Sequence, residues 1–340
     1  MSLLLEITNL KTSFKTVHGK ITVVDGVHLS MLPGQTLGIV GESGSGKSVT
    51  SLSIMGLLPQ TGYAEGEIRF NGQDLLSYSE KQMQNIRGNE ISMIFQDPLT
   101  SLNPLHTIGR QIQESIRIHQ KIKKVEAKQK VIALLKAVGM PRPEEIYHEY
   151  PYQLSGGMRQ RVMIAMAMAC EPKLIIADEP TTALDVTIQA QILDLMRELK
   201  EHSDTSILLI THDLGIVAEM CDQVIVMYAG QVVEETDVNT LFDNPKHPYT
   251  IGLMNSLPDI NNDREYLAAI PGSVPFAHQM PQGCRYSTRC SQVMEQCLSE
   301  TPPLFTKANH KCRCWLFAEG GLGNEQTAPG SEGINQILSY

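Results

Sequence analysis

A glycine-rich segment of eight residues has the composition and spacing of a phosphate-binding loop. Residues 41–48 read GESGSGKS and fit the pattern G-x-x-x-x-G-K-[ST]. The glycines let successive backbone N–H groups point at phosphate oxygens at the start of a helix. In such a loop Lys47 brings positive charge to the β- and γ-phosphates, and the Ser48 hydroxyl binds Mg²⁺. The predicted phosphate-binding residues are Gly41, Ser43, Gly44, Ser45, Gly46, Lys47, Ser48 and Val49.

Two adjacent carboxylates complete the chemistry that this loop requires. Asp178 and Glu179 end the apolar run Leu174–Ala177, which reads as a buried strand. Ligands of open α/β sheets lie at the carboxyl ends of the strands, so both carboxylates are expected beside the phosphates. Asp178 would complete the Mg²⁺ shell, and Glu179 would accept a proton from, or orient, a water that attacks the γ-phosphate.

The elements that must position these residues alternate along the chain. Short apolar runs predict buried strands, and apolar residues at i, i+3, i+4 and i+7 predict helices between them. A segment of about 97–170 lacks a convincing strand pattern and is expected to form a helical subdomain. The predicted class is therefore α/β. The strands are expected at Thr36–Val40, Ile91–Phe95, Leu174–Asp178, Ile207–Ile210 and Val224–Tyr228.

Length and charge exclude several classes of function. The chain has 340 residues and a net charge of −9, so a strong electrostatic grip on nucleic acid is not expected. It has no apolar run long enough to span a bilayer and no basic leader of a secretory signal. We therefore expect a cytosolic protein, in which the seven cysteines are reduced unless a metal binds them.

Three further motifs fix a family resemblance. Gln96 follows one predicted strand, His212 follows another, and the segment Leu154-Ser155-Gly156-Gly157 precedes an apolar helix. Together with the phosphate loop, the strand ending in Asp178 and the segment 183–185 (Ala-Leu-Asp, a D-loop), they stand in one order. In this order the chain resembles the nucleotide-binding subunit of ABC transporters over roughly residues 1–255.

The resemblance implies a composite ATPase site shared by two head-to-tail domains. It implies a P-loop ABC ATPase fold with a RecA-like parallel sheet core, an antiparallel β subdomain and a helical subdomain. ATP and Mg²⁺ are the implied ligands, and an aromatic residue, here Phe14, would stack on adenine unless it is simply a core residue. One ATP would be served by Lys47, Ser48, Gln96, Asp178, Glu179 and His212, and the partner's ATP by Ser155, Gly156 and Gly157.

A His-Pro-Tyr-Thr segment at 247–250 narrows the resemblance to the oligopeptide/dipeptide (and nickel) importers, over about residues 1–318. This implies two separate transmembrane permease subunits, a homologous second ATPase subunit, an indirect extracytoplasmic solute-binding protein, and a peripheral place on the cytoplasmic face of the membrane. Nickel or another small solute remains an alternative cargo. A soluble ABC ATPase that acts on DNA or ribosomes is the alternative from another class.

The cysteines suggest a separate module. Five of the seven fall within residues 284–314, in a proline-containing extension expected over 256–318, and residues 319–340 read as a flexible tail. Four thiols at this spacing are compatible with the ligands of an iron–sulfur cluster. A structural zinc site would usually contain a C-x₂-C pair, which this pattern lacks. The cysteines could also bind no metal at all. Some members of the resembled branch carry a [4Fe–4S] cluster at matching places, which implies Cys284, Cys290, Cys297 and Cys314, although Cys312 could replace Cys314.

Overall fold

The computed structural model describes residues 2–17, 19–182, 184–201, 203–256 and 269–318. Two of the predicted features, Ala183 of the D-loop and the tail at 319–340, lie outside these residues. The strands are β1 (Leu5–Thr16), β2 (Gly19–Met31), β3 (Thr36–Val40), β4 (Gly62–Phe70), β5 (Gln73–Asp74), β6 (Ile91–Ile94), β7 (Leu174–Asp178), β8 (Ser206–Thr211), β9 (Gln223–Tyr228), β10 (Gln231–Asp237), β11 (Phe305–Lys307) and β12 (His310–Cys312).

Helices connect most of these strands, and two short 3₁₀ turns lie at Leu75–Ser77 and Pro151–Gln153. The α-helices are α1 (Lys47–Met55), α2 (Glu80–Ile86), α3 (Pro98–Ser101), α4 (Ile108–Gln120), α5 (Lys124–Ala137), α6 (Pro143–Ile146), α7 (Gly156–Met168), α8 (Val186–Glu201), α9 (Leu214–Met220), α10 (Val238–Asp243), α11 (Pro248–Asn255), α12 (Glu295–Ser299) and α13 (Trp315–Ala318). Among the described residues, none of these helices combines the length and the apolar character that crossing a membrane requires.

The chain divides into two compact units. The first unit contains Met1–Leu4, Met31–Thr36 and Ser77–Ile210. Its strands β6, β7 and β8 are parallel, with β7 in the middle, and β7 is fully buried. Helices α4, α5 and α7 pack against one another, and α7 also contacts β6. Between α3 and α7 the described residues form helices and turns without a strand, in agreement with the helical pattern of the sequence.

The second unit contains Leu5–Ser30, Leu37–Leu76 and Thr211–Tyr340. Its antiparallel sheet has the order β2-β1-β4-β5. In its other sheet portion β9 pairs with β3 in parallel and with β10 antiparallel, and β12 joins β10 to β11. The C-terminal extension therefore contributes β12 and β11 to a sheet that also carries the strand before the phosphate loop.

The predicted α/β class and all five predicted buried strands are confirmed. β3 and β7 match their predicted bounds, β6 and β9 differ by one residue at one end, and β8 is longer by one residue at each end. Such strands are easy to locate because both of their faces are covered, which demands an uninterrupted apolar run. The proposed domain boundary near residue 255 stays a prediction.

Candidate nucleotide site

The phosphate loop is a tight backbone turn between β3 and α1. Gly41, Gly44 and Gly46 have φ angles of +152°, +82° and +101°, which side-chain-bearing residues rarely adopt. A Cβ on Gly41 would lie 2.2 Å from the carbonyl oxygen of Met227, so this position has no room for any side chain. Glycine is therefore required here both by backbone conformation and by space.

Lys47 is held against the loop that precedes it. Its Nζ donates hydrogen bonds to the carbonyl oxygens of Gly41 at 2.6 Å and Glu42 at 3.1 Å, and the residue is only 5% exposed. Lys47 is also the first residue of α1, whose first-turn N–H groups and helix dipole favour an anion at this end. The loop thus gathers a buried cation and a helix N-terminus, which together suit a phosphate.

The remaining loop residues divide by exposure. Ser43 and Gly44 are exposed at the tip of the loop, and Ser48 is partly exposed. Ser45 is fully buried, and within the described residues its hydroxyl has no hydrogen-bond partner. An orphaned hydroxyl, a buried ammonium group and the α1 N-terminus form a donor set that fits a triphosphate, with Ser48 as the predicted hydroxyl ligand of Mg²⁺.

The predicted catalytic carboxylate has two side-chain partners in the first unit. Glu179 Oε2 accepts hydrogen bonds from Gln96 Nε2 at 2.8 Å and from Thr182 Oγ1 at 2.9 Å. Its backbone has a φ of +49°, and its N–H donates to the carbonyl of Ile210 on β8. Asp178, one residue earlier, is buried at the end of β7. The structure therefore brings Gln96 to Glu179, as expected of two residues that serve one water molecule.

Ser155 starts the helix of the Leu-Ser-Gly-Gly motif. It is the N-cap of α7, and its hydroxyl accepts a hydrogen bond from the Met158 N–H at 3.3 Å. Ser155 and Gly156 are exposed, whereas a Cβ on Gly157 would come within 2.9 Å of the Ile188 side chain. An exposed helix N-terminus is the geometry that the predicted contact with a partner's γ-phosphate requires.

His212 lies at the junction of β8 and α9 in the second unit, and it is exposed. Its neighbour Asp213 is the N-cap of α9 and accepts hydrogen bonds from the N–H groups of Gly215 and Ile216. The N–H of Asp213 in turn donates to the Thr211 hydroxyl. This local network fixes the backbone on both sides of His212, so its imidazole extends from a rigid corner.

Phe14, the predicted adenine-stacking residue, lies on β1. Its ring is half-buried and packs beside Gly62 on β4, where an added Cβ would come within 2.8 Å of the ring. The same strand contacts α1, because the hydroxyls of Thr12 and Ser53 lie 2.8 Å apart. Phe14 is thus carried by a strand attached to the helix of the phosphate loop, and its stacking role stays a prediction.

Four of the five clustered cysteines line one small cavity in the extension. They are Cys284, Cys290, Cys297 and Cys314. Burial raises the pKa of Cys284 and of Cys314 to about 11, so both thiols are neutral at pH 7 unless a metal replaces the proton. Within the described part of the chain, no three His, Cys, Asp or Glu side chains come close enough to hold a single metal ion.

Comparisons with known proteins identify the family. A family model described as ABC transporter matches residues 24–182, and one described as oligopeptide/dipeptide transporter, C-terminal region, matches 233–297. The chain is 55% identical over 324 residues to the oligopeptide transport ATP-binding protein AppD of Bacillus subtilis, covering 94% of this chain and 99% of AppD. This chain belongs to the ATP-binding proteins of the oligopeptide ABC transporters. It is an ABC ATPase.

Other members of this ATP-binding family give the same result. The chain is 53% identical to OppD of Bacillus subtilis, covering 92% of this chain and 89% of OppD. It is 49% identical to OppD of Haemophilus influenzae, and the match covers 94% of this chain and 99% of that OppD. Among solved structures, the ATP-binding cassette MJ0796, in a dimeric post-hydrolysis state bound to ADP and Pi, is 28% identical with a TM-score of 0.62. That match covers 69% of this chain and 98% of MJ0796.

Two contacts of this ABC ATPase were missed by sequence reasoning. Thr182 shares the Glu179 carboxylate with Gln96, although threonine in a loop carries no signal of that role. Helix α11, which precedes the extension, also contacts the phosphate loop, where the hydroxyl of Tyr249 accepts a hydrogen bond from the Glu42 N–H at 2.8 Å. Tyr249 belongs to the His-Pro-Tyr-Thr segment, so the signal for this contact was present but was interpreted only as a family marker.

Proposed function

We propose that this chain is the ATP-hydrolysing subunit of an ABC importer that takes up oligopeptides or dipeptides through two separate transmembrane permeases. The observation that carries the proposal is the 55% identity to AppD, which extends over nearly the full length of both chains. The site geometry supports the hydrolytic part, since Gln96 and Thr182 both orient the Glu179 carboxylate. A second, homologous ATPase subunit completes the composite site, and the chain works at the cytoplasmic face of the membrane.

The predicted residues divide the work of binding and hydrolysis in this scheme. Lys47 and the loop N–H groups bind the phosphates, and Ser48, Gln96 and Asp178 would hold Mg²⁺, which neutralises charge that develops on the phosphates. Glu179 orients the attacking water and takes its proton. His212 faces the γ-phosphate of the same ATP. The exposed Ser155 and Gly156, together with Gly157, contact the ATP of the partner subunit.

A substitution of the catalytic carboxylate tests this scheme. Glu179→Gln removes the base while keeping the shape, so we expect ATP binding to persist and turnover to fall by at least a hundredfold. Glu198→Gln, on the exposed side of α8, is the matched control and should hydrolyse ATP at the wild-type rate. Normal turnover by Glu179→Gln would remove Glu179 from the role of base.

The importer assignment is tested by its partners. Tagged Glu179→Gln with ATP should trap the assembled complex in solubilised membranes of the host, because the closed dimer cannot hydrolyse its nucleotide. Mass spectrometry should then find two multi-span permeases and a second ATPase subunit, and a peptide-binding solute receptor would identify the cargo. Recovery of a nickel-binding receptor would change the cargo, and recovery of ribosomal or DNA-bound proteins alone would refute the importer assignment.

We also propose that Cys284, Cys290, Cys297 and Cys314 hold a [4Fe–4S] cluster, which would stabilise the fold of the extension by cross-linking its segments. The four thiols line one cavity, and a cluster binds each cysteine at a different iron, so its ligands need not converge on one point as they do around zinc. Cys312 is fully buried on β12 and makes a matched control. Protein purified without oxygen should be brown, Cys314→Ser should lose the colour, and Cys312→Ser should keep it. Colourless wild-type protein would refute the cluster.

A further inference from the structure

A buried arginine of the C-terminal extension is bound to the phosphate loop. Arg289 Nη1 donates to Glu42 Oε2 at 2.8 Å, and Nη2 donates to Glu42 Oε1 at 3.1 Å. This is a two-pronged ion pair across 247 positions of sequence, and the arginine side chain is only 4% exposed. Paired hydrogen bonds between a planar guanidinium and a carboxylate are among the strongest and most directional in proteins.

The surroundings of Arg289 keep its guanidinium in this place. Its Nε donates to the carbonyl oxygen of Pro271 at 2.8 Å, and its charge lies 5.7 Å from the centre of the Tyr228 ring. Tyr228 packs in turn against Tyr249, whose hydroxyl holds the Glu42 backbone. Two segments therefore hold a single loop residue: Arg289 of the extension binds the side chain of Glu42, and Tyr249 of α11 binds its N–H.

Glu42 presents an electrostatic problem for a nucleotide site. It is the second residue of the phosphate loop, and its carbonyl oxygen accepts a hydrogen bond from Lys47. An unpaired carboxylate at this position would repel the several negative charges of a triphosphate, and the low dielectric of a partly buried site would strengthen that repulsion. A cation that pairs with Glu42 would reduce this repulsion, and Arg289 is the cation paired with it in the structure.

We propose that Arg289 is a positioning residue for the phosphate loop, which acts on ATP through Glu42 by cancelling its charge and fixing its side chain. The proposal rests on the assignment of the chain as an ABC ATPase. Arg289 does not need to touch the nucleotide. Its role explains why the extension, which a bare ATP-binding cassette lacks, is built against this loop.

A purely mechanical brace makes a different prediction from charge cancellation. If Arg289 only braced the loop, removal of either partner of the ion pair would weaken ATP binding to the same extent. If Arg289 cancels a charge, Arg289→Gln weakens binding, whereas Glu42→Gln leaves a buried cation near the phosphates and does not. The sign of the Glu42→Gln effect therefore separates the two models.

The experiment measures the dissociation constants of ATP and ADP by calorimetry for wild type, Arg289→Gln, Glu42→Gln and the double variant. We expect Arg289→Gln to raise the dissociation constant for ATP about tenfold, because one uncancelled charge costs on the order of 1.4 kcal/mol. The effect should be smaller for ADP, which carries less charge, and should shrink in high salt. Glu42→Gln should bind ATP at least as tightly as wild type, and the double variant should return to within about twofold.

Matched controls distinguish this role from loss of fold. Arg313→Gln removes another arginine of the extension, which is bound to the carbonyl oxygens of Val232 and Pro302, and it should leave ATP affinity unchanged. If Arg289→Gln does not fold, Arg289→Lys keeps the positive charge but lacks the two parallel N–H donors of the guanidinium, and it should bind ATP within about threefold of wild type. Unchanged affinity in Arg289→Gln, or equal losses for ATP and ADP that Glu42→Gln does not reverse, would overturn the proposal. Failure of the wild type to bind ATP would instead overturn the ATPase assignment.

Discussion

A buried glutamate joins the extension to the sheet of the second unit, and its removal gives a sharp prediction. Glu234 on β10 is fully buried, and Oε2 accepts a hydrogen bond from the His247 N–H at 2.9 Å. Oε1 accepts from the Lys246 N–H at 2.6 Å and lies 2.6 Å from His310 Nε2. One carboxylate thus ties together the start of α11 and the strand β12.

Substitution by glutamine would break this arrangement in either orientation of the amide. Either the His247 N–H or the Lys246 N–H would face the NH₂ group of the new side chain, donor against donor. A hydrogen bond to a charged group contributes about 1.5–3 kcal/mol, and a buried donor left unsatisfied costs about 1–3 kcal/mol. We therefore expect Glu234→Gln to lower the free energy of unfolding of the extension by about 3 kcal/mol.

The chain contains its own reporter and its own control. Trp315, its one tryptophan, lies on α13 with its ring 5.6 Å from that of Phe305, so its fluorescence follows unfolding of the extension in urea. Glu235→Gln is the matched control, because Glu235 pairs with the half-exposed Lys311 and such a pair contributes about 1 kcal/mol or less. Equal losses in the two variants, within about 0.5 kcal/mol, would refute the view that Glu234 is the joining residue.

Three further perturbations have defined outcomes. Burial lowers the pKa of His247 to about 4 from an ordinary value near 6.5, so the folded chain binds fewer protons between these values and its stability declines as pH falls through that window. His247→Asn keeps a side-chain acceptor for the Tyr249 N–H at the start of α11. In urea titrations, the free energy of unfolding of this variant should depend less on pH between 4 and 6.5 than that of wild type, with a slope smaller by up to about 1.4 kcal/mol per pH unit. Parallel plots of unfolding free energy against pH for the two proteins would contradict this. Gly109→Ala places a Cβ 2.2 Å from the Tyr147 ring and should cost about 2 kcal/mol or more, visible as a lower melting temperature. Gly41→Ala should weaken ATP binding at least tenfold in the same calorimetric assay, because the phosphate loop must move away from Met227 to make room for the methyl group. Wild-type affinity in this variant would show that the loop can shift at little cost in binding free energy.

The sequence predicted the parts of the site that follow from local pattern. The phosphate loop was found because three glycines, a lysine and a serine must follow a buried strand at fixed spacing. The same holds for Asp178 and Glu179, since the strand that delivers them is an unbroken apolar run. Gln96 was placed by its position after β6, and the structure brings it within 2.8 Å of Glu179.

The contacts that the sequence could not supply join residues far apart in the chain. Arg289 is one of 28 basic residues, and nothing in its neighbourhood indicates that its partner is Glu42. Glu234 lies inside a strand, where an acid is ordinarily taken as solvent-exposed, yet three donors from two distant segments bury it. Such pairs are set by the packing of elements rather than by periodicity, so they require coordinates.

The pairing of β12 with β10 has a consequence for attempts to shorten the chain. A bare cassette ending near residue 255 would lack β11 and β12, of which β12 pairs with the edge of β10 that faces away from β9. The Arg313 N–H, bonded to the Val233 carbonyl, would be lost with them. An open strand edge with unpaired N–H and C=O groups is a template for pairing between molecules. We therefore expect a truncated chain to expose the edge of β10 and to aggregate more readily than the full chain, even with an intact phosphate loop.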